Sequence, residues 1–224
     1  MIRFFDVLFC SFAIIILSPI FFVICIFLKF SGEGEIFYMQ ERVGTNGKNF
    51  YLFKFATMLK NSENFGTGSI TIKNDPRVLP LGKLLRKTKL NELPQLFNVI
   101  KGDMGIIGPR PLTSVNFDYY DEAVKNSIKT IKPGLSGIGS IYFRDEEKYL
   151  TEVEESEKIY KEIIAPYKGR LEIWYSQNEN LKNYFLAIFT TIIAILIGNQ
   201  DILFKIFPNL PTPDKSLTLT KENE

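Results

Sequence analysis

The chain has no histidine among its 224 residues. That absence removes Ser-His-Asp and Cys-His nucleophile systems, and His-rich metal sites with them. Acid–base work falls to carboxylates, lysine or tyrosine. Any metal would meet oxygen ligands, the set suited to Mg²⁺ or a similar hard ion. Cysteine is nearly as scarce. Cys10 and Cys25 are the only two, and both lie in an apolar N-terminal run. They make neither a disulfide framework nor a zinc site, and read as small buried hydrophobes. A strong net charge is also missing: 27 Lys and Arg against 25 Asp and Glu leave +2, with no basic field that calls for nucleic acid.

The charge that is present is uneven. Residues 73–89 carry six Lys/Arg against one Asp, and residues 145–162 carry eight Asp/Glu against three Lys. The basic block suits anionic ligands or lipid headgroups; a solvated charged face is the alternative for either block.

Val7 to Leu28 is a 22-residue run without charge. As a helix it would extend roughly 33 Å, enough to cross a bilayer. A cleaved signal peptide is the alternative, but the run is long for that and no small-residue cleavage site follows. Ser18-Pro19 falls near its middle, where proline removes an amide donor and crowds the preceding turn. Either a kinked helix spans, or the chain bends there and returns to the same face, with the Ser18 hydroxyl serving a freed backbone group. Arg3 and Lys29 put positive charge at both ends, compatible with both being cytoplasmic. Arg3 and Asp6, three apart, can pair on one helical face.

Next come two strand-like stretches, EIFYMQERVG (35–44) and NFYLFKFATM (49–58), joined by the turn signal TNGKN. Residues 60–80 read as a loop. Helices are expected over about 81–87, 92–101, 113–129 and 145–180. Tyr184 to Ile197 is a second apolar run, of 14 residues, too short to span and suited to an interfacial or buried helix. The tail from Pro208, with prolines up to Pro213, is expected to be disordered. In RLEIWYSQNEN (170–180), Trp174 and Tyr175 read as core residues before sugar platforms.

The chemical content concentrates in LLRKTKLNELPQLFNVIKGDMGIIGPRPL, Leu84 to Leu112. Pro94 sits just inside an expected helix start, which makes Asn91 a plausible N-cap and puts Glu92 in the first turn. The same geometry offers a phosphate free amides and a partial positive charge. Arg86 lies upstream, and Arg110 follows between Pro109 and Pro111, which stiffen the backbone that presents it. Arginine grips phosphate oxygens in a bidentate fork, so the cluster fits a diphosphate whose charge is neutralised during transfer.

Taken in order, these pieces resemble the monotopic phosphoglycosyl transferases, also called bacterial sugar transferases or undecaprenyl-phosphate sugar phosphotransferases. The resemblance runs from the apolar segment with Ser18-Pro19 through QERVGTNGKNFYLFKFATM (40–58) and RVLPLGKLLRKTKLNELPQLFNVIKGDMGIIGPRP (77–111) to KPGLSGIG (132–139). It implies a small, mostly helical α/β membrane-associated domain, with an N-terminal re-entrant helix-break-helix over residues 1–30. It implies a catalytic domain over 31–180, on the cytoplasmic face of a bacterial inner membrane. Residues 181–206 read as an interfacial apolar helix, and 207–224 as a disordered tail. The implied chemistry is transfer of a sugar-1-phosphate from a UDP-sugar to polyprenyl phosphate, with Mg²⁺, which starts a lipid-linked glycan for downstream glycosyltransferases.

The family's catalytic Asp-Glu pair falls on Asn91 and Glu92. An amide is a poor nucleophile and a weaker metal ligand than a carboxylate. Glu92 then becomes the working carboxylate, or the chain is a membrane-anchored pseudoenzyme that binds nucleotide sugar or a partner transferase. The basic residue usual before Thr57-Met58 is Ala56 here, which shifts phosphate gripping toward Arg77, Lys83 or Arg86. Arg86, Arg110, Lys54, Gln95, Asn98, Pro109 and Pro111 are the candidate substrate-binding residues. Asn91 and Asp103 are the candidate oxygen ligands for a metal.

Overall fold

The computed structural model describes residues 1–64, 75–144, 157–198 and 202–213. The first helix, α1, runs over Ile2–Lys29. The hairpin β1 (Phe37–Val43) and β2 (Asn49–Phe55) follows, then α2 (Pro80–Lys87), a 3₁₀ turn over Leu90–Glu92 and α3 (Gln95–Lys101). Beyond these lie β3 (Gly105–Ile107), α4 (Ser114–Asp118), α5 (Glu122–Ile128), β4 (Gly134–Ser136) and α6 (Ile138–Tyr142). A π turn at Tyr160–Ile164 leads into α7 (Ala165–Gln177), and α8 (Leu181–Ile197) and α9 (Ile202–Ile206) complete the order.

Pro19 does not break α1. Helical backbone continues on both sides, and Ser18 Oγ donates to the Ile15 carbonyl at 2.8 Å. That carbonyl is the one a residue-19 amide would have served, so the hydroxyl replaces the donor that proline lacks. The expected helix-break-helix is therefore one continuous helix with a local substitution.

Both ends of α1 rest on the same domain. Arg3 donates to the Val99 and Ile100 carbonyls at the C-terminal end of α3, where a cation meets the negative end of the helix. Asp6 Oδ1 accepts from the Ile106 amide at 3.0 Å and the Tyr184 hydroxyl at 2.9 Å. The two charges are thus used on the domain and not on each other. Farther along, Cys10 packs with Leu52, Leu96, Val99 and Met104, and Ile24 and Leu28 pack with Phe55 and Leu85. The opposite face of α1 exposes Phe4, Leu8, Phe12, Ile15, Ile16, Phe22 and Phe27, and α8 exposes Phe189, Ile192, Ile195 and Leu196. Apolar surface on this scale suits contact with lipid or with another apolar surface.

The β hairpin pairs antiparallel from Phe37↔Phe55 to Val43↔Asn49, closed by the expected turn with Asn46 in the left-handed region. β3 and β4 pair in parallel, Gly105↔Gly134 and Ile107↔Ser136. This pairing brings two distant motifs together backbone on backbone. A Cβ on Gly108 would lie 2.2 Å from the Lys132 carbonyl, and one on Gly134 2.1 Å from the Gly108 amide. Only glycine permits that approach, which locks the loop carrying Arg110 against the Lys132–Gly139 segment.

The largest core cluster gathers Tyr120, Val124, Ile138, Tyr142, Ile164, Tyr167, Leu171 and Tyr175 with Tyr184, Ala187, Leu203, Phe207 and Leu210. Residues of α8 and α9 therefore share the core of the preceding domain. The tail differs from expectation as far as Pro213: Leu210 is buried and the Tyr167 hydroxyl donates to the Pro211 carbonyl at 2.9 Å. Residues 214–224 of that tail, and 145–156 of the acidic helical stretch, lie outside the described residues. The helix expected over 113–129 is two helices, because the Asp121 side chain caps the Val124 amide and starts α5 afresh. Trp174 packs edge-on against Phe207 at 5.6 Å and Tyr175 is fully buried, the core reading in both cases.

Candidate active site

Asn91 is not an N-cap. It lies inside the 3₁₀ turn Leu90–Glu92, and α3 starts after Pro94 with no side-chain cap. The preceding Lys89 adopts the left-handed region at φ 58°, a conformation that costs a lysine of the order of 1 kcal/mol. The turn presents Asn91 and Glu92 to a cavity of about 560 Å³ between the β hairpin, α2 and the Arg110 loop. Asn91 is buried there, and its Oδ1 has no hydrogen-bond partner.

The cavity is cationic. Arg42, Lys54, Arg86, Lys89, Arg110 and Lys168 all line it. Glu92 Oε1 meets Arg110 Nη2 at 3.3 Å. Burial alone would raise the Glu92 carboxyl, but Arg110, Lys54 and Lys89 together outweigh it and hold the group at about 2. Burial, reinforced by Arg42, pushes Lys54 down to about 7. Burial also lowers Arg42, to about 10, with Arg110 adding repulsion; Arg42 donates to the Pro111 carbonyl and to Gln40.

A second cavity, of about 400 Å³, also borders Glu92. Its walls are apolar: Leu93 and Leu96, Ile106 and Ile107, Leu135, and Ile188, Ile192 and Ile195 from α8. The Ser140 hydroxyl lines it without a partner. Lys89, Glu92, Arg110 and Lys168 are the described residues that line both cavities.

Among the residues singled out from sequence, Lys54, Arg86, Asn91, Glu92 and Arg110 come together. The others do not reach the cationic cavity. Asn98 is fully buried and stitches β2 to α3, donating to the Tyr51 carbonyl and accepting from the Phe53 amide. Asp103 accepts from Asn98 and pairs with Lys101 at 3.0 Å, which makes it a turn residue and not a ligand beside Asn91. Gln95 is buried at the start of α3. Pro109 and Pro111 act through their carbonyls, which accept from Gly134 and Arg42. Arg77 turns away to a buried pair with Asp75 at 2.7 Å, and Lys83 is exposed on α2.

Sequence reasoning missed Arg42, Lys89, Lys168 and Glu172. Arg42 lies within the QERVG motif and was open to discovery. Lys168 and Glu172 sit in a helix whose pattern gave no sign of a site. Glu172 is buried behind Arg110: burial raises its carboxyl to about 7, while Lys168 and the Arg110 amide pull it down. Among the described residues no group of three or more acidic or sulfur side chains converges on one point. Asn91 Oδ1, buried without a partner, and the Glu92 carboxylate both line the cavity and are hard oxygen donors of the kind that Mg²⁺ takes.

A family model described as bacterial sugar transferase matches residues 1–198. The chain belongs to the bacterial sugar transferase family. The exopolysaccharide production protein ExoY of Sinorhizobium fredii is 34% identical over 210 residues, covering 88% of this chain and 85% of that one. The undecaprenyl-phosphate galactose phosphotransferase of Salmonella typhimurium is 32% identical, with 87% of this chain and 40% of that one aligned. The UDP-glucose:undecaprenyl-phosphate glucose-1-phosphate transferase of Escherichia coli is 31% identical, over 82% and 38%. Among the relatives of this sugar transferase, the chain spans most of ExoY but about two-fifths of the other two.

Proposed function

We propose that the chain transfers a sugar-1-phosphate from a UDP-sugar to polyprenyl phosphate at the cytoplasmic face of a bacterial inner membrane. The observation that carries this reading is the junction of the two cavities at Glu92 and Arg110. The cationic cavity suits a nucleotide diphosphate-sugar. The apolar one, walled partly by α8 beside its exposed lipid-type face, suits the isoprenoid chain of an acceptor that stays in the bilayer. Relatives named for undecaprenyl-phosphate transfer from UDP-glucose, or of galactose, supply the substrate classes.

Asn91 offers no carboxylate for attack on phosphorus. The transfer is then direct. A phosphate oxygen of the lipid attacks the β-phosphorus, the bond from that phosphorus to the bridging oxygen of the α-phosphate breaks, and UMP leaves carrying that oxygen. No net proton moves. Arg110, Lys54 and Arg86 hold the diphosphate oxygens, and Glu92 orients Arg110. Mg²⁺, held by Glu92 and Asn91 Oδ1, would supply further charge neutralisation.

The continuous α1 lies in the membrane without crossing it, a reading supported by the packing of both its ends on one domain. A cysteine placed at residue 2 and probed in intact cells tests this; labelling by an impermeant reagent from outside would contradict it.

The activity test uses β-³²P-labelled UDP-sugars with undecaprenyl phosphate and the purified full chain. Label entering the organic phase, matched one-to-one by UMP, supports transfer. Asn91 also favours a second reading, a pseudoenzyme that binds donor without turnover. It predicts thermal stabilisation by UDP-sugars with no UMP released under the same conditions.

A further inference from the structure

A lysine and a glutamate one helical turn apart on α7, Lys168 and Glu172, are 1% and 2% exposed. A buried lysine kept for packing alone is replaceable by methionine or leucine. Lys168 is not placed for packing alone. Its Nζ lies over the faces of Phe143 at 5.5 Å and Tyr160 at 5.8 Å, and its side chain lines both cavities where they meet.

Glu172 backs this arrangement. Both oxygens of its carboxylate are buried without a hydrogen-bond partner. It also presses against α6 at Gly139, where a Cβ would come within 2.4 Å of Glu172 Oε1 and 3.2 Å of Lys168 Cγ. The bare backbone at Gly139 is what lets the pair sit there. An anion in the apolar cavity meets Lys168 and Arg110, which line both cavities, whereas Lys54 and Arg86 line the cationic one.

We infer that Lys168 binds the phosphate of the lipid acceptor at the mouth of the apolar cavity, and that Glu172 is its positioning residue. This deepens the reading of the two cavities as donor and acceptor sites and rests on it. Lys168 then draws the headgroup to the junction, and Arg110 is shared by both phosphates. The faces of Phe143 and Tyr160 help fix where the ammonium sits.

The test compares undecaprenyl phosphate with undecaprenol, which lacks the phosphate, binding to the full chain in detergent micelles. Wild type prefers the phosphate. Lys168→Met, similar in volume, loses that preference by about tenfold, as expected for one charge-assisted contact, and keeps its affinity for undecaprenol. In turnover the acceptor KM rises by a similar factor, and by more than the UDP-sugar KM, because Lys168 also lines the donor cavity. Glu172→Gln shifts the acceptor KM in the same direction by less, and Glu172→Asp recovers part of it. Because Glu172→Gln is isosteric, it carries the test if Lys168→Met fails to fold. An unchanged phosphate preference in Lys168→Met, or a change confined to the donor KM, overturns the inference. A wild type that binds the two lipids equally instead removes the acceptor-cavity reading on which the inference rests.

Discussion

Replacing Asn91 with aspartate should change the chemistry and leave the fold intact. The side chains are isosteric, and Asn91 Oδ1 has no partner to lose. The new carboxylate would stand beside Glu92. At a separation of about 5 Å and an effective dielectric of ~20, their repulsion is ~3 kcal/mol, and two cations of the cavity at similar range more than offset it. The introduced carboxylate is then ionised at neutral pH and supplies a nucleophile where the wild type has an amide. Labelled UMP incubated with UDP-sugar, and with no lipid present, reports the difference. The wild type should show no exchange of label into UDP-sugar. Asn91→Asp should show exchange, and a burst of at most one UMP per chain, because a covalent phosphosugar can form and revert. Equal lipid-free exchange in the two proteins, or none in a folded Asn91→Asp, would refute the reasoning.

Arg110→Ala removes the guanidinium shared by both cavities, and kcat/KM should fall by about 10²–10³-fold, as when one charge-stabilising donor is lost from an active site. The melting curve should move little, because Arg110 and Glu92 both keep access to solvent. Lys54 gives a pH dependence. It is protonated below about 7 and neutral above, so UDP-sugar affinity should weaken as pH rises through that value, and calorimetric titrations with Lys54→Arg should lose the step. Asp6→Ala leaves the Ile106 amide and the Tyr184 hydroxyl without their acceptor and loosens α1 from β3 and α8. It should cost about 2–4 kcal/mol in thermal or denaturant unfolding, at one to two kcal/mol for each abandoned group.

The parts of the site that the sequence exposed share one property: they sit in short motifs whose residue types already carry the chemistry. Glu92 and Arg110 are eighteen residues apart, and proline and glycine mark the turns that bring them together. The hairpin was legible for the same reason, its alternation closing on Asn46-Gly47. Asn98 and Asp103 misled because a polar residue near a motif looks the same whether it faces a cavity or ties two elements together. Asn98 does the second, with both amide atoms committed to β2. Lys168 and Glu172 were hidden because they follow a densely charged acidic stretch, and the three charges of α7, Lys168, Arg170 and Glu172, match no motif of the chemistry. Leu210 and Pro211 looked like a loose tail because proline content says nothing of a tyrosine hydroxyl waiting to bind the chain.

Direct transfer requires donor and acceptor phosphates to meet at one junction in a single complex. Initial rates of the wild type, measured while UDP-sugar and undecaprenyl phosphate are varied against each other, test this most directly. Intersecting double-reciprocal lines are predicted, since both substrates must be bound before UMP leaves. Parallel lines, the mark of a covalent relay in which UMP departs before the lipid arrives, would contradict it.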